Sequence, residues 1–361
     1  MELSIDERFK LITSNLQETL IDEQVMKKIM AVRPLKIYWG TAPTGPPSIA
    51  YFIPMMKIRD LVNAGCEVVI LIADLHAVLD NLKSTFKQVE HRVQYYIKVI
   101  QEMLLSLGVD VSKVKFIKGS DFQLTKEYTL DMYKAHTLIT FAEAKHAGAS
   151  VVKQDEHPKM CSLMYPTLQA LDIHYLNGGC DIFFGGIDQR KIAMHEKEIM
   201  PKLGFKKKMY LFNRMISGLR QNKKEGENTD ANIAETKMSS SNKDSKIDLM
   251  DTKNILKAKI NKCYCLPGDI EDNCLMEMLE GLIFPILQIK GLKFVINRPE
   301  KFGGIVNYDN VEQVKNDFKE QQLHPGDFKN GMIDTIDSIL DPIRKAMETD
   351  EVKKLIKLAY S

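Results

Sequence analysis

Through the first two thirds of the chain, segments with a strand-like pattern of apolar and polar residues alternate with segments that have a helix-like pattern. Residues 67–73 form a continuous apolar, β-branched run, which is what a strand buried in a parallel sheet requires. Helical periodicity follows over residues 88–107 and ends at Gly108. Earlier in the chain, a short strand at 35–39 leads through a Gly/Pro/Thr loop into a helical segment at 48–64. The chain therefore contains repeated β-loop-α units.

Two further strand-like segments, residues 114–117 and 181–184, are also separated by helical stretches. Strands that alternate with helices predict a doubly wound α/β fold with a parallel sheet. Ligands of such sheets bind beyond the carboxyl ends of the strands. We therefore expect the functional chemistry in the loops that follow Trp39 and Phe184.

The pattern changes in the last third of the chain. Residues 221–236 are polar and poor in apolar side chains, which predicts a mobile surface loop. Beyond residue 246 helical periodicity dominates, over residues 273–287, 332–347 and 352–359. The sequence thus predicts an α/β domain at 1–245 and a mainly helical domain at 246–361.

Composition narrows the class of protein without identifying a partner. The 361 residues are 44% hydrophobic and 27% charged, which is typical of a soluble globular protein and not of a membrane protein. The N-terminal residues lack the features of a secretory signal, so we expect a cytosolic protein whose six cysteines are thiols. Cys263, Cys265 and Cys274 match zinc-ligand spacing poorly, and no bound metal is expected. A net charge of +2 leaves the partner open.

Two loops carry small or hydroxyl-bearing residues that suit a nucleotide. In the loop from Gly40 to Tyr51, the backbone can approach a phosphate closely, and the following helix N-terminus favours an anion. The alternative is an ordinary strand-to-helix turn in which Ser48 caps the helix. The run Lys237-Met238-Ser239-Ser240-Ser241 offers a cation and several donors to a polyphosphate, or is only a polar helix start.

Two other constellations suit a polar ligand. Tyr165, Gln169 and Asp172 fall on one face of a predicted helix, where buried polar groups need either a ligand or an internal hydrogen-bond network. The run 185–189 follows a predicted strand with two glycines, Asp188 and Gln189, which can approach a ligand or simply form a tight turn.

The four motifs, in this order, resemble the class I aminoacyl-tRNA synthetases, specifically the tyrosyl enzymes of eukaryotes and archaea. The resemblance covers nearly the whole chain and includes the runs 324–327 and 340–344. It implies a Rossmann-like catalytic domain, with a dimer-forming insertion at about 113–159 and a mobile loop at 221–241, followed by an anticodon-binding domain. It also implies a homodimer in the cytoplasm.

The resemblance implies a role for each site residue. Tyrosine would be held by Tyr38, Tyr165, Gln169, Asp172 and Gln189, of which Tyr38 and Asp172 grip the phenol. ATP would contact Gly40, Thr44, Gly45, Ser48, Tyr51, Gly186, Asp188, Lys237 and Met238. The catalytic groups would be Lys237, Ser239, Ser240 and Ser48. The anticodon would meet Phe302, His324, Pro325 and Asp327.

The implied reaction activates L-tyrosine with ATP, presented with Mg²⁺, and transfers tyrosine to the 3′ adenosine of tRNA(Tyr). Positioning and charge neutralisation carry most of such catalysis. One position departs from the family, because Ser48 stands where a phosphate-binding histidine is usual and cannot carry charge. Lys57, Lys237 or another cation is a candidate to compensate. A tryptophanyl synthetase and a catalytically silent relative that binds RNA or a protein remain the alternatives.

Overall fold

The computed structural model describes residues 3–80, 84–151, 159–220, 238 and 245–361. Contacts between residues divide the chain into two compact units, each with an apolar core. The first unit comprises Met1–Thr44, Lys57–Arg214 and Asp350–Ser361, and the second comprises Gly45–Met56 and Met215–Thr349.

The first unit is built on a six-stranded sheet. Its strands are β1 (Glu18–Leu20), β2 (Lys36–Thr41), β3 (Glu67–Ile72), β4 (Val114–Lys118), β5 (Ile182–Gly186) and β6 (Met209–Asn213). The spatial order is β1-β6-β5-β2-β3-β4, in which β1 pairs antiparallel with β6 and the other pairs are parallel. This topology confirms the predicted doubly wound sheet. Its order reverses between β2 and β5, which is where such sheets bind ligands.

Helices connect these strands and dominate the second unit. Up to β6 they are α1 (Ile5–Thr13), α2 (Glu23–Val32), α3 (Phe52–Asn63), α4 (Asp74–Leu79), α5 (Phe86–Ser106), α6 (Ser120–Gln123), α7 (Lys126–His136), α8 (Phe141–Gly148), α9 (Met160–Tyr175) and α10 (Arg190–Ile199). After β6 they are α11 (Lys253–Asn261), α12 (Cys274–Met278), α13 (Phe284–Lys290), α14 (Val311–Lys319), α15 (Pro325–Met347) and α16 (Asp350–Tyr360). None of the helices in the described ranges is long and apolar enough to cross a membrane.

Local sequence explains the elements that were predicted well. Strand β3 is buried along nearly its whole length, as its apolar, β-branched residues require. Helix α5 begins with a capping box between Thr85 and Gln88 and stops before Gly108, whose positive φ of +76° suits glycine. Four strands were not predicted. Strand β1 and the antiparallel pair β7 (Phe294–Ile296) and β8 (Val306–Tyr308) have three residues each, which is too short to show a period. Strand β6 has five residues that are all buried, so its pattern does not show the alternation of a half-buried strand.

The compact units do not follow the predicted boundary at 245/246. Helix α16 belongs to the first unit, where its apolar face, including Ala359, is buried. Arg92 on α5 donates from Nε to the Ala359 carbonyl at 2.8 Å, and the rings of Tyr95 and Tyr360 lie 5.8 Å apart. The sequence shows that α16 is amphipathic but not which surface it covers. The division into catalytic and anticodon-binding domains stays a prediction about function.

Candidate active site

The first unit has a buried aromatic wall where the strand order reverses. Tyr38 on β2 lies opposite Phe183 on β5, with ring centroids 5.2 Å apart. Burial raises the pKa of Tyr38 well above its ordinary value, so its hydroxyl stays protonated and can donate a hydrogen bond. A small, partly open pocket adjoins it. The lining residues are Tyr38, Gln169, Ala170, Ile173, Phe183, Ile192, Ala193, Glu196 and Tyr210.

Asp172 on α9 is a fully buried carboxyl group with one oxygen satisfied and one not. Gln123 Nε2 and the Tyr128 hydroxyl donate to Oδ1 at 2.7 and 2.9 Å. Oδ2 is buried and has no hydrogen-bond partner among the residues that the structure describes. Burial raises the pKa of Asp172 to about 7, although the hydrogen bonds from Gln123 and Tyr128 oppose that shift. A buried acceptor without a partner is costly, so this atom is suited to receive a ligand's donor.

His76 on α4 faces the same carboxyl group. Its Nε2 lies 3.9 Å from Asp172 Oδ2, and its ring packs edge-on against Tyr165 with centroids 4.6 Å apart. Burial lowers the pKa of His76 to about 4, and the backbone of Tyr165 opposes this shift only in part. The sequence analysis missed His76, although its position just past the carboxyl end of β3 was a usable signal.

The two glutamines predicted to hold tyrosine meet in the structure. Gln169 Nε2 donates to Gln189 Oε1 at 3.3 Å. Gly185 makes room for this contact, because a Cβ there would lie 2.5 Å from Gln189 Oε1 and 2.4 Å from Phe183 Cζ. Gly186 then leads into the short 3₁₀ turn Ile187–Gln189, which contains Asp188. The glycines therefore serve the placement of Gln189 as well as a close approach of the backbone.

Another buried carboxyl group, Glu196 on α10, lines the pocket beside Tyr38. Its Oε1 lies 2.7 Å from His174 Nε2, and its Oε2 accepts a short hydrogen bond from the Tyr210 hydroxyl. Both oxygens are thus satisfied within the protein. The sequence analysis did not identify this group, because its partners come from α9 and β6 and share no local motif with it.

In the second unit, the loop that carries Ser48 is fixed to the segment 246–249. Ser48 forms an antiparallel bridge with Asp248, and the Ile49 amide donates to the Ile247 carbonyl at 2.9 Å. Lys246 Nζ donates to the Pro46 carbonyl at 2.6 Å and lies 3.2 Å from an Asp248 carboxylate oxygen. Lys246 is a buried cation beside the predicted phosphate loop that the sequence analysis missed.

Ser48 is buried and precedes the 3₁₀ turn Ile49–Tyr51, but its side chain makes no capping hydrogen bond. The alternative in which its hydroxyl serves as an N-cap is therefore not the observed arrangement. Gly40 lies in β2, and the Thr44 carbonyl accepts a short hydrogen bond from Arg92. Gly45 and Tyr51 belong to the second unit with Ser48.

The structure describes little of the loop predicted to bind the phosphates. Lys237, Ser239, Ser240 and the rest of the loop 221–241 lie outside the described residues, except for Met238. Met238 is buried, and its amide donates to the Ile216 carbonyl at 3.1 Å.

The suggestion that Lys57 compensates for Ser48 is wrong. Lys57 Nζ donates to the carbonyls of Leu11 and Ser14 at 3.1 and 2.6 Å and pairs with Asp60 at 3.2 Å. These three partners use the three donors of the ammonium group. Lys57 is therefore a structural cation of the first unit.

The predicted anticodon residues lie in the second unit. His324 caps helix α15, with Nδ1 accepting from the Gly326 amide at 3.0 Å and Pro325 at the first helical position. Asp327 is half-buried in the first turn of α15 and is not its capping residue. Phe302 is 61% exposed, and Lys301 Nζ lies 4.9 Å from its ring centroid. An exposed aromatic ring of this kind is suited to stack on an unpaired base.

Comparisons with known proteins agree with this geometry. The family described as tRNA synthetases class I (W and Y) matches residues 30–341, and the chain belongs to that family. Among its relatives, the cytoplasmic tyrosine–tRNA ligase of Danio rerio is 48% identical over 359 residues, which are 99% of this chain and 64% of that protein. The cytoplasmic tyrosine–tRNA ligase of Saccharomyces cerevisiae is 44% identical over 346 residues, 94% of this chain and 84% of that protein.

A solved structure supports the same relationship. Tyrosyl-tRNA synthetase from Archaeoglobus fulgidus, complexed with L-tyrosine, has a TM-score of 0.79 and 33% sequence identity, and the match covers 95% of this chain and 100% of that one. The chain spans 64% of the length of its Danio rerio relative, so it corresponds to part of that longer protein.

Proposed function

We propose that this protein activates L-tyrosine with ATP and transfers tyrosine to the 3′ adenosine of tRNA(Tyr). The observation that carries the proposal is the buried Asp172 carboxyl group, whose Oδ2 has no partner within the described chain. An ionised carboxylate accepts a hydrogen bond from a phenol hydroxyl, and the Tyr38 hydroxyl can donate one to the phenol oxygen. Phenylalanine would leave these groups buried without a partner, and tyrosyl enzymes are the usual example of that rejection.

The remaining predicted tyrosine residues suit the amino end of the substrate. Gln169 and Gln189 hydrogen-bond each other, so a substrate ammonium group can take over one amide oxygen as acceptor. Tyr165 adjoins them one helical turn from Gln169. The arrangement therefore offers polar groups for both ends of tyrosine.

The chemical step would be attack of the tyrosine carboxylate on the α-phosphorus of ATP, with pyrophosphate as the leaving group. Magnesium would arrive bound to the ATP phosphates, as part of the substrate. In this proposal Lys237 neutralises charge on the departing phosphates, and Ser239 and Ser240 donate hydrogen bonds to them. Ser48 donates one hydrogen bond in place of the usual histidine, and Asp188 binds the ribose.

A homodimer fits the surface of the segment predicted to form the interface. Among the described residues of the segment 113–159, five large apolar side chains are at least 38% exposed. They are Leu124, Leu130, Tyr133, Leu138 and Phe141. A concentration of exposed apolar residues in one segment is typical of a surface that another protein covers. We propose that a second copy of the chain covers it.

The RNA partner would be recognised through Phe302 and Asp327. Phe302 offers a stacking surface, and the Asp327 carboxylate can accept the two donors on the Watson–Crick edge of guanine. The cytoplasm is the proposed location, as in the relatives named above.

The test is tyrosine-dependent exchange of pyrophosphate into ATP, with tryptophan and phenylalanine in parallel and Lys237→Ala as the control. Exchange with tyrosine only, largely lost in the control, supports the proposal and shows that Ser48 is tolerated. Exchange with tryptophan would favour the tryptophanyl alternative. No exchange with any amino acid would favour a relative that binds RNA or protein without the chemistry.

A further inference from the structure

Two buried polar groups beside the predicted phenol site lack partners and face each other. Asp172 Oδ2 has no hydrogen-bond partner, and neither ring nitrogen of His76 makes a hydrogen bond of normal geometry, within the described chain. His76 and Asp172 are 1% and 0% exposed, so neither side chain is in contact with bulk solvent. Each unsatisfied buried group is costly to the folded protein, and a ligand is one means of removing that cost.

The distance between the two atoms suits a shared hydroxyl group. At 3.9 Å, His76 Nε2 and Asp172 Oδ2 are too far apart for a good direct hydrogen bond. If a hydroxyl oxygen lies roughly 2.8 Å from each atom, the angle at that oxygen between Nε2 and Oδ2 is about 90°. This angle is close to the one between the directions in which a hydroxyl donates and accepts hydrogen bonds. The pair is therefore spaced for one oxygen between them.

The protonation states give each group a complementary role. The pKa of His76 is lowered to about 4 by burial, so its imidazole is neutral at physiological pH. A carboxylate oxygen opposite Nε2 favours the tautomer that carries its proton on Nε2, where it can donate. The second oxygen, Oδ1, is already occupied by Gln123 and Tyr128, which leaves Oδ2 as the acceptor.

We propose that His76 binds the ring hydroxyl of the substrate together with Asp172 and Tyr38. In this arrangement the substrate hydroxyl donates to Asp172 Oδ2 and accepts one hydrogen bond from His76 Nε2 and one from Tyr38. A hydroxyl group has one donor and two acceptor positions, so three partners use its full capacity. This inference rests on the proposed function, and it adds a specificity-determining residue that recognises the phenol.

The packing of His76 explains how its ring is held for this role. Tyr165 packs edge-on against the imidazole, and α4 begins directly after β3 at the carboxyl edge of the sheet. The side chain is thus held by the Tyr165 ring and backbone, and its Nε2 faces Asp172 Oδ2. A ring fixed before binding loses little entropy when the substrate arrives.

The experiment compares His76→Leu, His76→Gln and His76→Asn with the parent protein. Dissociation constants for L-tyrosine are measured by calorimetry, and those for L-phenylalanine by competition with tyrosine. We expect His76→Leu to raise the dissociation constant of tyrosine roughly fivefold to tenfold, because one neutral hydrogen bond to the hydroxyl is lost. The dissociation constant of phenylalanine should not change. Gln places a donor near the Nε2 position and should recover tyrosine affinity, whereas Asn, which reaches only the Nδ1 position, should not.

His195→Leu is the matched control, since His195 is also buried with an unpartnered Nε2 but lies on α10. It should leave the tyrosine-to-phenylalanine ratio unchanged. Equal weakening of both amino acids by His76→Leu, or no change in either, overturns the inference. If the Leu variant does not fold, equal tyrosine affinities of the Gln and Asn variants overturn it instead. Tyrosine binding without pyrophosphate exchange in the parent protein would contradict the proposed activity but leave this binding test intact.

Discussion

Two buried carboxyl groups of the first unit differ in how their oxygens are used. Glu196 has both oxygens satisfied, by His174 and Tyr210. Asp172 has two donors on Oδ1 and none on Oδ2. A fully satisfied buried carboxylate stabilises a particular packing, whereas a partly satisfied one remains costly until a ligand binds. The difference separates a structural acid from a binding acid within the same unit.

The largest effect should follow from Asp172→Asn. The amide oxygen can still accept hydrogen bonds from Gln123 and Tyr128, but the variant loses the charged acceptor for the substrate phenol. The value of kcat/KM for tyrosine in the exchange assay should therefore fall roughly a hundredfold. The melting temperature at pH 8 should rise by about 2–4 °C, because an acid whose pKa is raised in the folded state destabilises the fold above that pKa. A lower melting temperature with an unchanged kcat/KM for tyrosine would indicate that Asp172 has a structural role and does not bind the substrate.

The pH dependence of tyrosine binding should be the next largest effect. Asp172 has a pKa of about 7 in the free protein, and it must be ionised to accept the hydrogen bond of the phenol as a charged acceptor. Tyrosine affinity should therefore fall by about tenfold between pH 8 and pH 6, and binding near pH 7 should release protons. Calorimetry in buffers of different ionisation enthalpy measures both. Asp172→Asn should abolish the pH dependence, and a variant that retained it would assign the titration to another group.

Glu196→Gln should give the opposite pattern from Asp172→Asn. The amide nitrogen of glutamine cannot accept, so one of the two donors, His174 or Tyr210, is left unpaired in the core. We expect the melting temperature to fall by a few degrees, with kcat/KM for tyrosine changed less than about threefold. Differential scanning fluorimetry and the exchange assay measure the two quantities. A large loss of tyrosine specificity with unchanged stability would remove the distinction between the two carboxyl groups.

The smallest effect should come from Tyr128→Phe. It removes one donor to Asp172 Oδ1, and that hydrogen bond opposes the rise in the pKa of Asp172. The midpoint of the pH dependence of tyrosine affinity should therefore move upwards, with a loss of affinity at pH 7 of roughly threefold. Tyr133→Phe, an exposed tyrosine on the same helix, is the control. A midpoint that did not move would mean that Tyr128 does not act through Asp172.

Much of this site was foreseeable from sequence. Tyr165, Gln169 and Asp172 were assigned to one helix face from spacing alone, with a ligand and an internal network as the two explanations. The structure shows that Asp172 has features of both, since Oδ1 is in a network and Oδ2 is not. Gln189 was predicted from the turn after β5, and the structure brings its side chain into contact with Gln169.

Other parts of the site could not be predicted in this way. Gln123 and Tyr128 come from α6 and α7, which the sequence analysis did not connect with Asp172. The sequence did not show that Lys57 is unavailable to a phosphate. Its burial, and its hydrogen bonds to the carbonyls of Leu11 and Ser14, depend on contacts between residues far apart in sequence. The position of helix α16 in the first compact unit depends on such contacts too, since amphipathicity does not identify the surface that a helix covers.

By itself, the sequence determined the alternation of strands β2 to β5 with helices, the glycines of the turn after β5 and the polar face of α9. These features depend on residues close together in the chain, where periodicity and steric limits act directly. The tertiary structure decided that His76, Gln123 and Tyr128 converge on Asp172, and that Glu196 is satisfied while Asp172 is not. Such convergence depends on the spatial order of the strands, which brings the ends of separate segments to one edge of the sheet.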